Sequence, residues 1–208
     1  MPLIVVLAGP NGAGKSTCAK YLLKDALAVD EFVNADTIAQ GLSAYRPEAA
    51  AVTAGRVMLE RLRTLAGLRR DFAFETTLSG RSHARWLRVL QTAGYRIHLV
   101  FLSLPSAELA VARVADRVRR GGHHVPDTVV RRRFAAGLRN LFSIYMDVAD
   151  AWTIYDNADI VSPHLIASRA VGAATVIADA EAWTFLKGSY RHDGSELWPY
   201  TCRARRRS

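Results

Sequence analysis

Leu3 to Thr17, "LIVVLAGPNGAGKST", is the stretch on which the reading of this chain turns. Leu3 to Ala8 is an unbroken aliphatic and β-branched run, the pattern of a short strand buried on both faces rather than of a helix. The residues from Gly9 to Ser16, "GPNGAGKS", then fit G-x-x-x-x-G-K-[ST], and beyond Lys15 the apolar residues Ala19, Leu22, Leu23 and Ala26 recur at helical spacing as far as about Leu27. Strand, glycine loop and helix start together form an anion cradle: main-chain N–H groups curl toward one centre and the helix adds its positive end. Lys15 is placed to reach the β- and γ-phosphates and the Ser16 hydroxyl to ligate Mg²⁺. Gly9, Pro10, Asn11, Gly12, Ala13, Gly14, Lys15, Ser16 and Thr17 are therefore expected to bind a nucleoside triphosphate, ATP, with Mg²⁺.

Outward from this loop the pattern alternates. "EFVNAD" predicts a second strand ending at Asn34, Ala35 and Asp36, and Pro47 with Glu48 opens a helix through Val52, Val57, Leu59, Leu62 and Leu65. "DFAFETT" predicts a third strand, Ser82 to Ala93 a helix stopped at Gly94, and "YRIHLVFLSL" a fourth strand. Ser106 to Arg120 is helical, "GGHHVP" breaks it, and Asp127 caps a helix running to about Ala149, ahead of a fifth strand, "WTIYDN". Strands alternating with helices imply an α/β fold of three layers: a central, mostly parallel five-stranded sheet covered by helices on both faces. Residues 1–160 read as the core, with a lid near 113–133. Residues 161–208 read as a helical extension, with a helical stretch near Leu165 to Leu186 and then a basic tail.

The chain has 208 residues, half of them hydrophobic, enough for one well-filled core. No apolar stretch approaches the ~20 residues of a membrane helix, and no basic segment precedes Leu3–Ala8, so a cytoplasmic protein is expected. Cys18 and Cys202 lack metal-ligand spacing and read as free thiols. The net charge of +9 is local: eight arginines face two aspartates between Arg113 and Arg139, and the tail "CRARRRS" carries four more. Such segments meet a polyanion or form a solvated helix face.

The loop alone does not give the reaction, because such loops serve kinases, GTPases and motors alike. The carboxylates narrow it. Ligands of open parallel sheets bind outside the carboxyl ends of the strands, which brings Gly9 to Ser16, Asp36 and Glu75 to one rim. Acids beside a γ-phosphate suit a hydroxyl acceptor, one of them accepting its proton and another gripping the rest of the molecule.

"GPNGAGKST", "FVNAD", "FAFETTLSGRS", a basic helix entering "GGHHVP", and "YDN", in this order, resemble the zeta toxin family of P-loop kinases in its short bacterial form, over roughly residues 3 to 157. The resemblance implies a nucleoside-kinase-like fold, ATP with Mg²⁺, a hydroxyl of UDP-N-acetylglucosamine or a related UDP-sugar as acceptor, and an antitoxin partner. It makes Asp36 the catalytic base, although Asp36 could also cap the helix from Thr37. Glu75, Thr77 and Arg81 become acceptor contacts, with Glu75 alternatively a partner of Lys15 or a group behind Mg²⁺, and Asn157 a nucleotide contact. Asn34 is expected to close a turn. Arg113, Arg117 and Arg120 share a helix face, and Arg117 and Arg120 are assigned with Lys15 to transition-state charge; Asp116 could instead pair along the helix with Arg113 and Arg120. His123 and His124 lack a third ligand for a metal.

Other acceptors, namely a nucleoside, an antibiotic or a polynucleotide end, remain open. So does a nucleotide-gated nucleic-acid-binding protein, against which stands the absence of a helix-turn-helix, zinc or RNA-recognition pattern.

Overall fold

The aliphatic run Leu3–Ala8 is β1, an inner strand of a sheet seen in a computed structural model that describes residues 1–19, 22–23, 27–122, 124–159 and 162–189. His123, Cys202, the tail arginines and part of the first predicted helix lie outside the described residues. β1 pairs in parallel with β3 (Phe72–Thr76) on one side and β4 (Arg96–Ser103) on the other. β2 (Phe32–Val33) lies outside β3 and β5 (Ala151–Asp156) outside β4, both parallel, giving the five strands that the alternation predicts. Two further strands, β6 (His164–Arg169) and β7 (Val176–Ile177), add antiparallel to the β5 edge, so the order is β2-β3-β1-β4-β5-β6-β7.

This corrects the expected helix near Leu165 to Leu186. Gly172, at φ +69°, turns the chain between β6 and β7, and only Ala180–Ser189 is helical, as the last helix. The apolar spacing of Ile166, Ala170, Ala173 and Ile177 imitates a helix, but a glycine turn inside the stretch permits a hairpin instead.

Alternation along β1 divides the core. Ile4, Val6 and Ala8 face a cluster with Leu62, Leu65, Leu87 and Val148, while Val5 and Leu7 face Cys18, Ala110, Val114 and Val130. The first layer is built by α3 (Ala51–Gly67), α4 (Ser82–Thr92) and α7 (Met146–Val148), the second by α1 (Lys15–Ala19) and α5 (Ala107–Arg119). α6 (Asp127–Asn140) serves both, with Val130 in one cluster and Leu138 in the other. The buried stripe of α3 is Ala54, Met58, Leu62 and Leu65, so Val52, Val57 and Leu59, which the sequence reading counted inward, face solvent. Pro47 opens a single 3₁₀ turn, Pro47–Ala50, ahead of α3.

Helix ends follow local chemistry. The Ser106 hydroxyl accepts from the Leu109 N–H at 3.1 Å and starts α5. Ser106→Ala should cost about 1 kcal/mol, read as a lower urea midpoint with an unchanged slope. Asp127 does not cap α6 as expected: Pro126 occupies the cap, and no side-chain bond forms there. α6 runs into a π turn, Leu141–Tyr145, before α7. The hydroxyl of the buried Tyr145 donates to the Gly80 carbonyl at 2.7 Å, and burial pushes its phenol up from 10.0 to about 12. The folded state thus holds the proton that the unfolded chain releases first, so this contribution is complete below pH ~10 and is lost as pH rises toward about 12. Tyr145→Phe should flatten the stability–pH curve in that window, measured by urea unfolding at stepped pH.

Candidate active site

The carboxyl ends of β1, β2 and β3 open onto one cavity of about 590 Å³. Its walls are the loop after β1, the start of α2 (Ala35–Leu42), the end of β3, and Arg113, Arg117, Arg120 and Arg133 from α5, its C-cap and α6.

The glycine loop is shaped as a cradle. Gly9 sits at φ +146°, and a Cβ there would meet the Leu102 carbonyl oxygen at 2.3 Å; at Gly12, φ +78°, it would meet the Ala110 oxygen at 2.9 Å. Lys15 is buried and donates through Nζ to the Gly9 and Pro10 carbonyls, each at 2.8 Å, folding over its own loop. Burial lowers its pKa, opposed by the nearby Glu75 and Asp36 carboxylates.

Glu75, next to last in β3, has both oxygens engaged. Oε1 lies 3.5 Å from Lys15 Nζ, and Oε2 accepts from the Ser16 hydroxyl at 2.8 Å and from Asn34 Nδ2 at 2.7 Å. The structure thus joins Glu75 to Lys15 and Ser16 of the glycine loop while keeping it in the cavity wall. Asn34 caps α2, its Oδ1 accepting from the N–H groups of Asp36 at 2.7 Å and Thr37 at 3.3 Å. The turn-closing role expected of Asn34 is thus present, and the capping alternative for Asp36 is not. Asp36, about half exposed at 48%, lines the cavity with Oδ2 3.8 Å from Arg117 Nη1.

The three arginines of the shared face do different things. Arg113 reaches beneath the loop, donating to the carbonyls of Gly12 and Asn157 at 3.4 and 2.8 Å, and to that of Ala158. Arg117 faces Asp36. Arg120 lines the cavity but pairs with Asp116 at 2.8 Å, while the other Asp116 oxygen takes Arg119 at 3.0 Å. The expected reach of Asp116 to Arg113 is absent because Arg113 is committed to the loop.

Thr77 lines the cavity with its hydroxyl 2.9 Å from that of Ser79. Two of the expected site residues beyond the glycine loop do not line the cavity. Arg81 lies outside the cavity wall, exposed, with Nε directed to Asn140 Oδ1 at 3.4 Å. Asn157 is fully buried behind the loop, donating to the Ala13 carbonyl at 2.6 Å, so it props the cradle from below and does not face it. Gly9, Pro10 and Ala13 are likewise buried in the loop frame, whereas Asn11, Gly12, Gly14, Lys15, Ser16 and Thr17 form its open side. Arg133 was not singled out in the sequence, one arginine in the run Arg131–Arg133. Its signal was the helical phase it shares with Gly137 and Asn140, which turn inward.

Among the described residues no group of three His, Cys, Asp or Glu side chains is placed to hold a metal ion. Mg²⁺ in phosphate sites commonly takes one or two protein oxygens, and the Ser16 hydroxyl backed by Glu75 has that chemistry.

A family model described as an AAA domain matches residues 4–142. The chain belongs to the AAA domain family. All the cavity-lining residues fall inside the matched AAA domain, and Asn157 with the added hairpin falls beyond it. An uncharacterized protein of Haemophilus influenzae is 28% identical over 130 residues, 62% of this chain and 91% of that protein. Among solved structures, the AvrRxo1-ORF1:-ORF2 complex with ATP superposes with a TM-score of 0.71 at 17% identity, covering 89% of this chain. This chain spans 63% of the length of the chain it matches there. A structure from the PezAT chromosomal toxin-antitoxin system of Streptococcus pneumoniae gives 0.57 at 19% identity, covering 78% of this chain and 70% of that one. At these identities the likeness is one of fold, a mostly parallel α/β sheet with helices on both faces.

Proposed function

We propose that this protein is an ATP-dependent kinase that transfers the γ-phosphoryl group to a hydroxyl of a small molecule, with UDP-N-acetylglucosamine or a related UDP-sugar as acceptor. The observation that carries the reading is the freedom of Asp36: because Asn34 caps α2, the Asp36 carboxylate faces the same cavity as Lys15 and Ser16 instead of being spent on the helix. A pure ATPase has less need of a second acid there, since Glu75 already stands against the loop.

The cradle fits a triphosphate. The glycines leave no Cβ in the way, Lys15 supplies a buried cation, and the buried Asn11 Oδ1 has no protein hydrogen-bond partner. Ser16 would hold Mg²⁺ with Glu75 behind it; when bound, the ion neutralises charge on the β- and γ-phosphates. Asp36 accepts the proton of the acceptor hydroxyl as the acceptor oxygen bonds to the γ-phosphorus. The bond from that phosphorus to the bridging oxygen breaks, and ADP leaves. Arg117, Arg120 and Arg133 line the cavity to offset charge on the equatorial oxygens, and Thr77 with Ser79 offers hydroxyls to the acceptor.

The ATP in the AvrRxo1 complex and the toxin–antitoxin origin of the PezAT structure support this reading, and with it a zeta-toxin-like role opposed by an antitoxin protein. Among the described residues no helix is long and apolar enough to cross a membrane, which fits a cytoplasmic site of action. Labelled ATP should be tested by thin-layer separation against UDP-sugars, nucleosides, aminoglycosides and a 5′-hydroxyl oligonucleotide. Transfer to UDP-N-acetylglucosamine is expected. Transfer to another alcohol keeps the kinase and replaces the acceptor, and label released only as inorganic phosphate rejects both.

A further inference from the structure

The segment Thr77–Gly80, which follows β3 along the cavity wall, is held in a backbone conformation that its sequence does not favour. Leu78 sits at φ +55°, a left-handed region unfavourable to a residue with a Cβ, and its side chain is fully buried. A conformation of this kind persists only where the surroundings over-determine it.

The surroundings come from α6 and the π turn after it. Asn140, buried, donates through Nδ2 to the Leu78 carbonyl at 2.7 Å. Tyr145, buried, donates its hydroxyl to the Gly80 carbonyl at 2.7 Å. Gly137 lets the helix touch the loop: a Cβ there would meet the Thr77 carbonyl oxygen at 2.4 Å. From within the loop, the Thr76 hydroxyl accepts from the Leu78 N–H at 3.1 Å. The loop so fixed turns Thr77 and Ser79 to the cavity, their hydroxyls 2.9 Å apart.

Arg133, Gly137 and Asn140 are spaced i, i+4 and i+7, one face of one helix. The first lines the cavity, and the other two grip the segment that carries the Thr77 and Ser79 hydroxyls. We infer that Gly137, Asn140 and Tyr145 are positioning residues that hold the hydroxyl pair Thr77–Ser79 against a hydroxyl-rich acceptor, and that α6 joins this grip rigidly to Arg133. The inference rests on the kinase reading for its substrate, but not for the clamp itself. Two hydroxyls, each donor and acceptor, suit a polar, polyhydroxylated partner better than an apolar one. Because both grips sit on one rod, an acceptor that seats badly also misplaces Arg133.

The test pairs Asn140→Ala with Tyr145→Phe, the second removing a single oxygen so that folding is not at issue. Amide hydrogen exchange over residues 76–81 should rise about tenfold in either variant, while residues 10–17 stay unchanged. With UDP-N-acetylglucosamine as probe, the acceptor KM should rise about fivefold to tenfold and the ATP KM stay within about twofold, a split that general loosening of the fold would not produce. Unchanged exchange over 76–81 in both variants, or both KM values rising together, overturns the inference. Should the wild-type protein phosphorylate no alcohol, the kinase reading falls, and the exchange result still decides whether the clamp exists.

Discussion

Asp36→Asn is expected to lower phosphoryl transfer by about 10³-fold while leaving ATP affinity within about threefold. The amide keeps the size and shape of the carboxylate but cannot accept a proton. Its neighbours say why the fold should tolerate it. Asn34, not Asp36, satisfies the first N–H groups of α2, so the helix start survives. The charge at the helix N-terminus is worth about 0.3–1 kcal/mol, and the half-exposed contact with Arg117 at 3.8 Å adds little. Binding is measured by calorimetry with a non-hydrolysable ATP analogue and transfer by labelled product. A mutant that transfers at the wild-type rate removes Asp36 from the role of base.

Lys15→Met should have the second large effect, and in a different place. The ammonium is buried but donates to the Gly9 and Pro10 carbonyls and stands 3.5 Å from Glu75, so the thioether in its place leaves these groups without that partner and should lower the melting temperature moderately without unfolding the chain. Glu75 would still be held by the Ser16 hydroxyl and Asn34 Nδ2. On the proposed function, what is lost is the buried cation that would meet the triphosphate, worth about 1.5–3 kcal/mol of binding, or roughly 10- to 150-fold in Kd, with transfer reduced further. Calorimetric titration beside a thermal melt checks both halves. Unchanged nucleotide affinity, or a collapse of stability, contradicts this account of Lys15.

The site was legible in the sequence where a residue's role follows from its immediate neighbours along the chain. The strand–loop–helix around Gly9 to Ser16 and the convergence of Asp36 and Glu75 on the same rim are of that kind, since strand ends in a parallel sheet share a side. Roles set by partners distant in sequence were not. Asn157 props the loop instead of facing it because Ala13, 144 residues away, takes its N–H. Arg113 is diverted by the carbonyls of Asn157 and Ala158, and Arg133 gains its place only when α6 packs across the sheet end. The β6–β7 hairpin was hidden for another reason: β6, six residues with two apolar ones at its centre, and β7, only two residues long at the sheet edge, carry too little alternation to outweigh a helical spacing that merely spans them.

Phosphorus-31 NMR of the wild-type protein with ATP, Mg²⁺ and UDP-N-acetylglucosamine, repeated with Asp36→Asn, is the most direct measurement of whether this cavity passes phosphate to an alcohol. A new phosphomonoester resonance growing as the γ-phosphate signal decays, and nearly absent in the variant, is the predicted result. Decay to inorganic phosphate alone, at the same rate in both proteins, would contradict it.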